Sequence, residues 1–482
     1  MRRFLSLSFF LFAFTCLNAQ QNSVLSSGNW YKISVSQDGI YKLDNNDLQS
    51  LGIETSNLIV NSIKLFGNGG GMLPALNSDF RHNDLQENAI QVVDLNGNGI
   101  FNSDDYILFY GQSPHNWKYD SVSNIFNYSE HLFSDLNYYF ITIDNSSGGK
   151  RINQKPIFTN FDKTIIAFDD FHVHEVNSEN LIQSGREWFG ERFGIIDSYS
   201  FNFNFPNLIN SSPVTIKTSV AARSLNSSYF TVNANNNFIS NINISNIVYD
   251  YATQYARSAQ NTSQFNSNSD QITVNVEYNY SENNAIGWLN YIQLNSRREL
   301  RMHNDILSFR DVESITNNQL GKYIISNSNL ATQVWDITDQ LNIKKLPTNL
   351  TGSELTFIDS ISSLKSYYAF NNNYKKPSLI GEIENQNLKA IDNNVEYVIV
   401  SHPNFVLAAD ELAQIHLQVD DLNSVVVTPE QIYNEFSSGM QDVTAIRDFF
   451  RMLYKRSNSN FKYALLFGDG SYDNKDRLQN NT

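Results

Sequence analysis

Cysteine is almost absent from this sequence of 482 residues, whose one cysteine is Cys16. It lies in an N-terminal apolar stretch that we expect to be removed on export, so the mature chain has no thiol. This excludes disulfides, zinc sites with cysteine ligands and a cysteine nucleophile from residues 20–482. Stability must therefore come from packed cores, with or without a bound metal ion.

Positive charge is also scarce. The chain has 34 Lys and Arg against 49 Asp and Glu, a formal net charge of −15. Proteins that bind nucleic acids neutralise phosphates with clustered Lys and Arg. The composition therefore excludes a nucleic acid as the expected partner and predicts an ordinary acidic surface.

Long hydrophobic runs are missing beyond the N terminus. Residues 1–19 combine two arginines, an apolar core and small residues before a cleavage site after Ala19, which is typical of a secretory signal peptide. Lipidation of Cys16 fits poorly, because Phe14 and Thr15 precede it. No later stretch reaches the ~18 apolar residues of a spanning helix. The sequence predicts an exported protein without a transmembrane helix in the mature chain.

Aromatic and apolar residues are plentiful, at 13% and 41% of the chain. In residues 20–177 they form strand-length runs such as WYKISV and YILFYG, separated by Asn, Asp and Gly, which predicts a β-rich N-terminal domain. One short helix is expected in DNNDLQSLGI, with Asp44 capping its first turn.

Residues 178–390 alternate more regularly between apolar and polar. Three segments carry the pattern, namely Phe201 to Phe205, Val214 to Val220 and Ile272 to Tyr280. A period of two gives each strand one buried and one exposed face, which predicts a β-sandwich or jelly roll.

From residue 391 the pattern changes to strand, helix, strand, helix, strand. The strands VEYVIVS, SVVVT and YALLF are apolar without alternation, which is typical of a parallel sheet covered on both faces. We expect Ala408, Leu412, Ile415 and Val419 to form the buried face of the first helix. The overall fold class is thus mostly β with a C-terminal α/β part. We expect residues 391–482 to be the first half of a complete α/β domain.

The last apolar strand runs into Gly468-Asp469-Gly470. Ligand sites of parallel sheets form outside the carboxyl ends of their strands, and glycines permit a sharp turn there. Asp469 either orients a catalytic histidine or lines a substrate pocket, or else it is only a turn residue.

The segment DLNGNGIFNSDD resembles a calcium loop of the EF-hand type. The candidate ligands match loop positions 1, 3, 5, 7, 9 and 12, with Gly99 at the turn, and are Asp94, Asn96, Asn98, the carbonyl of Ile100, Asn102 and Asp105. Oxygen ligands of this kind suit Ca²⁺. The aspartate at the last position and the strand that follows depart from the EF-hand, and an Asn-Gly-rich β-turn is the alternative.

Histidines offer weaker candidates. His172 and His174 alternate on one expected strand and form either a two-histidine metal site or ordinary surface imidazoles. His402 follows the first parallel strand. It either starts the following helix or lines the ligand crevice at the carboxyl ends of the strands. Trp188, with Arg186, is expected to dock the sandwich on its neighbour by stacking.

Residues 443–473, VTAIRDFFRMLYKR followed by FKYALLFGDGSYD, resemble the opening of a gingipain-type cysteine peptidase domain with a caspase-like fold. Further blocks resemble one branch of that family, the sortases of the type IX secretion system of Bacteroidota. These blocks are FGNGGGMLP (66–74), SGREWFGERF (184–193), GWLNYIQLNSRREL (287–300), VWDIT (334–338) and ENQNLKAI (384–391).

The resemblance implies a cysteine endopeptidase and transpeptidase at the outer-membrane surface. Such enzymes remove the C-terminal signal domain of secreted cargo and attach the cargo to lipopolysaccharide, with an outer-membrane barrel protein as partner. A histidine activates the thiol, and an acyl-enzyme passes to water or an amine.

Both catalytic residues of the family follow later strands, beyond Thr482. We therefore expect no catalytic residue, no organic cofactor and no peptidase activity in this chain alone. The alternative function is a secreted calcium-binding adhesin or glycan-binding β-protein, which needs no catalysis.

Overall fold

The computed structural model describes residues 22–248, 250–456 and 458–479. The expected signal peptide and Cys16 lie outside these residues. The first nine strands are β1 (Trp30–Val35), β2 (Gly39–Asp44), β3 (Ile63–Phe66), β4 (Glu87–Asn88), β5 (Gln91–Val93), β6 (Tyr106–Gly111), β7 (Asn116–Asp120), β8 (Ile125–Ser129) and β9 (Asn137–Ile143). Helix α1 (Asn45–Ser50) begins at the expected cap, where Asp44 and Asp47 form a reciprocal capping box.

Nineteen further strands follow before the α/β part. They are β10 (Asn153–Gln154), β11 (Lys163–Ile165), β12 (Ala167–Glu175), β13 (Arg192–Phe193), β14 (Ser198–Asn204), β15 (Val214–Arg223), β16 (Ser228–Ala234), β17 (Asn237–Ile244), β18 (Arg257–Phe265), β19 (Gln271–Asn279), β20 (Ile286–Glu299), β21 (Ile306–Arg310), β22 (Leu320–Ile325), β23 (Gln333–Asp336), β24 (Lys344–Lys345), β25 (Asn349–Thr351), β26 (Glu354–Ser360), β27 (Ser366–Phe370) and β28 (Ser378–Ile383).

The N-terminal part contains a five-stranded sheet, β28-β1-β9-β3-β4, and a three-stranded sheet, β2-β6-β5. Both contribute to one buried core that includes Ile33, Leu43, Phe109 and Ile141. The hairpin β7-β8 lies apart from them and contacts β20.

The middle of the chain forms two β-sandwiches. In the first, the sheet β12-β20-β15-β18 faces β14-β19-β16-β17, and the alternating residues expected from the sequence fill its core, for example Phe203, Val214 and Val274. In the second, β10-β24-β23-β27-β21 faces β11-β22-β26-β25 around a core that includes Phe309. The alternation thus produced sandwiches as expected, but two of them.

Strand pairing joins segments on both sides of residue 177. Strand β12 lies before that boundary yet pairs along its whole length with β20. Strand β28 lies far beyond it yet pairs with β1 of the N-terminal sheet. Local sequence patterns cannot show which strands pair when the partners are distant in sequence. The domain limits 20–177, 178–390 and 391–482 stay predictions.

The α/β part contains β29 (Tyr397–Ser401), α2 (Val406–Asp420), β30 (Ser424–Val427), α3 (Pro429–Phe436), α4 (Val443–Lys455) and β31 (Tyr463–Phe467). The strands are parallel in the order β30-β29-β31. Helix α2 packs on one face of the sheet, against Ile399 and Leu465, and α3 and α4 pack on the other, against Val398 and Val427. The expected fold class, mostly β with an α/β end, is confirmed.

Two details of this part differ from the sequence prediction. Helix α2 buries Ala409 and Ala413 and packs the expected Leu412 against the same cluster, whereas Ile415 and Val419 are 54% and 75% exposed. Small side chains let the helix approach the sheet closely, so size and not hydropathy selected the buried face. Helix α3 was not predicted, although Thr428 and Gln431 form a capping box with a proline at the first helical position.

Candidate functional site

The carboxyl ends of β29 and β31 meet beside His402 and the turn Gly468-Asp469-Gly470. The backbone N–H of His402 donates to the carbonyl of Phe467 at 3.0 Å. Gly468 has φ +141°, and a Cβ there would lie 3.4 Å from the Cβ of His402. The glycine thus allows the turn to pass close to His402, and Asp469 is exposed on it.

His402 acts at the start of a helix. Its Nδ1 accepts the N–H of Asn404, and Pro403 occupies the first position of a short 3-10 turn that leads into α2. The expected capping role is confirmed. His416 lies inside α2, and its Nδ1 is 2.7 Å from Asp420 Oδ2, within hydrogen-bond distance.

Residues 471–479 leave the turn and cross to the first sandwich and the β7-β8 hairpin. Lys475 lies 2.8 Å from Glu130 and 2.6 Å from Asp135, and its side chain is only 3% exposed. Arg477 lies 3.3 Å from the same Glu130 carboxylate. Lys475 and Arg477 share the Glu130 carboxylate and so hold this segment on the residues that follow β8.

Trp188 receives the same segment. The ring of Tyr472 stacks on it with a centroid distance of 6.0 Å, and the guanidinium of Arg477 lies 4.9 Å from its centroid. The expected docking through Trp188 is confirmed, with the segment after β31 as the neighbour. Arg186 is exposed.

The loop of residues 67–84 wraps the α3–α4 side of the parallel sheet. Arg81 forms an ion pair with Asp448 of α4 at 3.1 Å, and the N–H of Leu73 donates to Asp442, the N-cap of α4, at 2.9 Å. Arg447 donates to the carbonyl of Pro74 at 2.9 Å. The loop therefore fixes the start of α4 against the N-terminal domain.

The glycines of this loop have a packing reason that the sequence did not reveal. A Cβ on Gly70 would lie 2.0 Å from the carbonyl oxygen of Ser113, and one on Gly71 would lie 2.0 Å from the side chain of Asn116. The loop approaches the segment before β7 so closely that only glycine fits.

A buried imidazole lies at the same junction. The side chain of His131 is fully buried, its Nδ1 accepts the N–H groups of Phe133 and Ser134, and its Nε2 lies 4.0 Å from Asp442. Burial, helped by the charge of Lys475, lowers the pKa of His131 to about 3. Burial also raises the pKa of Asp442. Each group is thus biased towards its neutral form.

The candidate calcium residues converge in one loop. The amide nitrogen of Asn102 lies 3.2 Å from Asn98 Oδ1, 2.8 Å from the carbonyl of Ile100 and 3.3 Å from Asp105 Oδ2. Three of the proposed ligand oxygens therefore lie close together and accept hydrogen bonds from the side-chain Nδ2 of Asn102.

The remaining oxygens of that loop bond its backbone. Asp94 accepts the N–H groups of Gly97 and Gly99, both at 2.8 Å, and Asn96 accepts that of Asn98 at 3.1 Å. Within the described residues, no group of three or more His, Cys, Asp and Glu side chains is arranged around a metal position. Calcium binding stays a prediction.

The two histidines of β12 are paired with carboxylates. His172 lies 3.6 Å from Asp170, and His174 lies 2.8 Å from Glu191. Burial alone would raise the pKa of Asp170, but its contacts with His172 and Arg298 hold that pKa below its ordinary value. Each imidazole thus has a carboxylate neighbour, and the two rings pack on Phe205 and Phe201 of the first sandwich.

In the parts of the chain that the structure describes, no helix is long and apolar enough to cross a membrane.

Residues 390–482, which include the parallel sheet, match the model of peptidase family C25. The crystal structure of dimeric latent PorU from Porphyromonas gingivalis matches with a TM-score of 0.80 and 24% identity, over 95% of this chain and 43% of the PorU chain. No curated protein matches this chain in sequence.

Two carbohydrate-binding structures also match parts of the chain. A CBM36-1 domain of a multidomain xylanase, from the hindgut metagenome of Trinervitermes trinervoides, covers 26% of this chain and 96% of its own, with 8% identity and a TM-score of 0.18. A CBM36 module in complex with calcium and xylotriose covers 25% of this chain and 98% of its own, with 10% identity and a TM-score of 0.17. Scores this low establish no shared fold.

The resemblance to gingipain-type peptidases is therefore confirmed: the chain has the fold of PorU over nearly its whole length while spanning 43% of the PorU chain, and its α/β part matches peptidase family C25.

Proposed function

We propose that this chain is the N-terminal part of an exported, surface-located cysteine endopeptidase of the sortase type. The parent enzyme removes the C-terminal signal domain of secreted cargo and transfers the cargo to lipopolysaccharide. The observation that carries this proposal is the match to PorU along 95% of the chain, combined with the peptidase-family match of residues 390–482.

In this proposal the described residues form and hold one wall of the active-site crevice and do not supply the catalytic residues. Residues 17–482 contain no cysteine, so the thiolate comes from another part of the parent protein. The turn at Gly468-Asp469-Gly470 and His402 form one wall of the crevice at the carboxyl ends of the strands. The segment 471–479 and the loop 67–84 hold that wall on the β domains.

The edge of β31 supports a larger sheet in the parent. In the described sheet β31 pairs with β29 alone, and Leu466 on it is 62% exposed. An apolar edge of this kind is suited to a further parallel strand. The catalytic histidine and cysteine of the family follow such later strands.

Two experiments test this function. Reading the gene beyond the codon for Thr482 should reveal a Gly-His loop followed, after a further strand, by a cysteine. Deleting the gene should leave secreted cargo with its C-terminal signal domain attached, and the intact gene, but not one with that cysteine changed to alanine, should restore cleavage. Normal cargo processing in the deletion strain, with loss only of cell adhesion, would favour the adhesin instead.

We also propose that the loop Asp94 to Asp105 binds Ca²⁺. The Asn98, Ile100 and Asp105 oxygens support it, because all three lie within hydrogen-bond distance of the Asn102 side chain and are thus close to one another, and Ca²⁺ takes six to eight oxygen ligands. Added Ca²⁺ should raise the melting temperature, and a chelator should reverse the rise.

A variant pair makes that test specific. Asp94→Ala should abolish the rise in melting temperature. Asp120→Ala is the control, because Asp120 makes comparable turn hydrogen bonds to Val122 and Ser123 outside the loop. An equal Ca²⁺ effect in Asp94→Ala would refute the site.

A further inference from the structure

A cavity of about 590 Å³ lies between the β7-β8 hairpin and the first sandwich. Its floor is formed by β12, β15 and β20, and Trp188 closes one side. The hairpin is fixed above it by side chains of β20, because Gln293 and Asn295 bond the backbone of Phe126 and Tyr128. These hydrogen bonds fix the hairpin on β20, which contributes to the cavity floor.

Glu175 is a partly buried carboxylate of this cavity without an ion-pair partner among the described residues. Glu130 forms ion pairs with Lys475 and Arg477, whereas no Lys, Arg or His nitrogen of the described residues lies within 4.0 Å of Glu175. Burial, together with the charge of Glu130, raises the pKa of Glu175 to about 7. At neutral pH this side chain is thus half ionised in a partly buried place, which is costly without a cation.

The rest of the lining suits an ammonium group. The rings of Tyr128, Tyr291 and Trp188 line the cavity, and aromatic faces attract cations. The ammonium of Lys217 already lies at one end, 3.1 Å from Asn127 Oδ1 and 5.8 Å from the centroid of Tyr291. The cavity therefore already holds one ammonium group, and Glu175 lines the same cavity.

We propose that this cavity binds the terminal ammonium of an aliphatic amine, with Glu175 as its counter-ion and Tyr128 and Tyr291 as its walls. The amine is either the lysine side chain of a polypeptide or a free polyamine, which share this chemistry. The proposal does not rest on the peptidase function, because the cavity is formed by the hairpin and the sandwich.

Binding is coupled to protonation. A bound ammonium stabilises the ionised form of Glu175, so affinity rises as pH increases through about 7. The charged and titratable groups around Glu175 are Glu130, Lys475, Arg477, Lys217, Arg186, Glu187, Tyr128 and Tyr291. Burial lowers the pKa of His115, whose ring packs on Tyr128, and raises the pKa values of Tyr128 and Tyr291. Glu175 is therefore the group whose change of charge we expect to govern the pH dependence.

Calorimetric titration of the full chain tests the proposal. Cadaverine should bind about tenfold more tightly at pH 8 than at pH 6, because about a tenth of a carboxyl with pKa near 7 is ionised at the lower pH. The neutral 1,5-pentanediol should not bind. Tighter binding of the peptide acetyl-Gly-Lys-Gly-amide than of cadaverine identifies a polypeptide lysine, and the reverse order identifies a polyamine.

Variants separate the site from general surface charge. Glu175→Gln should lower the affinity for cadaverine at pH 8 by at least tenfold and remove the pH dependence of that affinity. Glu277→Gln, an exposed carboxylate on the outer face of β19, should change the affinity by less than twofold. No binding by the wild-type chain, or full binding by Glu175→Gln, overturns the proposal. The pH dependence of the wild-type chain provides a measurement that does not depend on the folding of any variant.

Discussion

His131 is enclosed between the residues that follow β8 and the start of α4, and its pKa is lowered to about 3. The unfolded chain carries the same imidazole with a pKa near 6.5. Below pH 6.5 the unfolded state therefore gains a proton that the folded state does not. The stabilisation from neutral His131 is complete above pH 6.5 and is lost as pH falls towards 3.

We expect acidification from pH 7.5 to pH 5.0 to reduce the free energy of unfolding of the wild-type chain more than that of His131→Asn. The difference should be about 2 kcal/mol, from 1.5 pH units below an unfolded pKa of 6.5. Asparagine supplies an acceptor near the position of Nδ1 and does not titrate. Urea unfolding at both pH values measures the difference, and equal pH dependence of the two proteins would contradict the assignment.

Gly70 gives a steric prediction at the same scale. Gly70→Ala should cost about 2–4 kcal/mol, because the new methyl group meets the backbone oxygen of Ser113, which cannot move away without breaking the turn. Gly470→Ala is the matched control, since its Cβ would have no atom within 4 Å. Thermal unfolding distinguishes the two, and similar melting temperatures would show that the loop can relax.

At the scale of elements, the segment 471–479 depends on Trp188. Trp188→Ala should increase amide hydrogen exchange at Asp473, Asp476 and Leu478, whose N–H groups bond within this segment. Exchange in β15 and β19 should not change. Tyr251→Ala, on an exposed loop of the same sandwich, is the control. Unchanged exchange at Leu478 in Trp188→Ala would mean that the ion pairs of Glu130 suffice.

Sequence patterns predicted an element correctly where a single effect, such as burial of one strand face or helix capping, determined its structure. The alternation in β14, β15 and β19 follows burial in a sandwich, and α1 follows from its Asp44 cap. The prediction that Ile415 and Val419 lie on the buried face of α2 was wrong. Hydropathy alone favoured these residues, whereas close packing of the helix on the sheet favours alanine. Helix α3 carried a readable signal in Thr428-Pro429-Glu430-Gln431, a capping box with proline at the first position.

The candidate site was predicted only in part. The turn after β31, the capping role of His402 and the docking of Trp188 followed from local chemistry. The clasp of the loop 67–84 on α4 and the burial of His131 did not, because each depends on residues hundreds of positions away. Contacts of that range leave no periodic trace in one sequence.

At the scale of the whole molecule, buried charge pairs join the N-terminal domain to the α/β part. Arg81 with Asp448 is one, and Lys389 with Asp84 and Glu435 is another. Removing one member of a buried pair leaves the other without its partner, at a cost of about 3–5 kcal/mol.

In Arg81→Met, Asp448 keeps only the more exposed Arg447, at 3.2 Å, as an ion-pair partner. The substitution should therefore speed hydrogen exchange in α4 by about tenfold or more, with the cores of both sandwiches unaffected. The double variant Arg81→Met/Asp448→Leu should recover much of the protection, because no lone charge remains buried. Equal exchange in the single and double variants would show that geometry, not charge, holds the helix.

Strand β28 reaches back to complete the sheet that begins with β1, pairing Ile383 with Trp30. In an exported chain β1 emerges first, so its outer edge stays unpaired until both sandwiches and β28 have followed. During that interval the row of open backbone groups is available to any extended chain, including another nascent copy. Biogenesis of this protein thus requires either fast closure by β28 or a chaperone that shields β1 until β28 emerges.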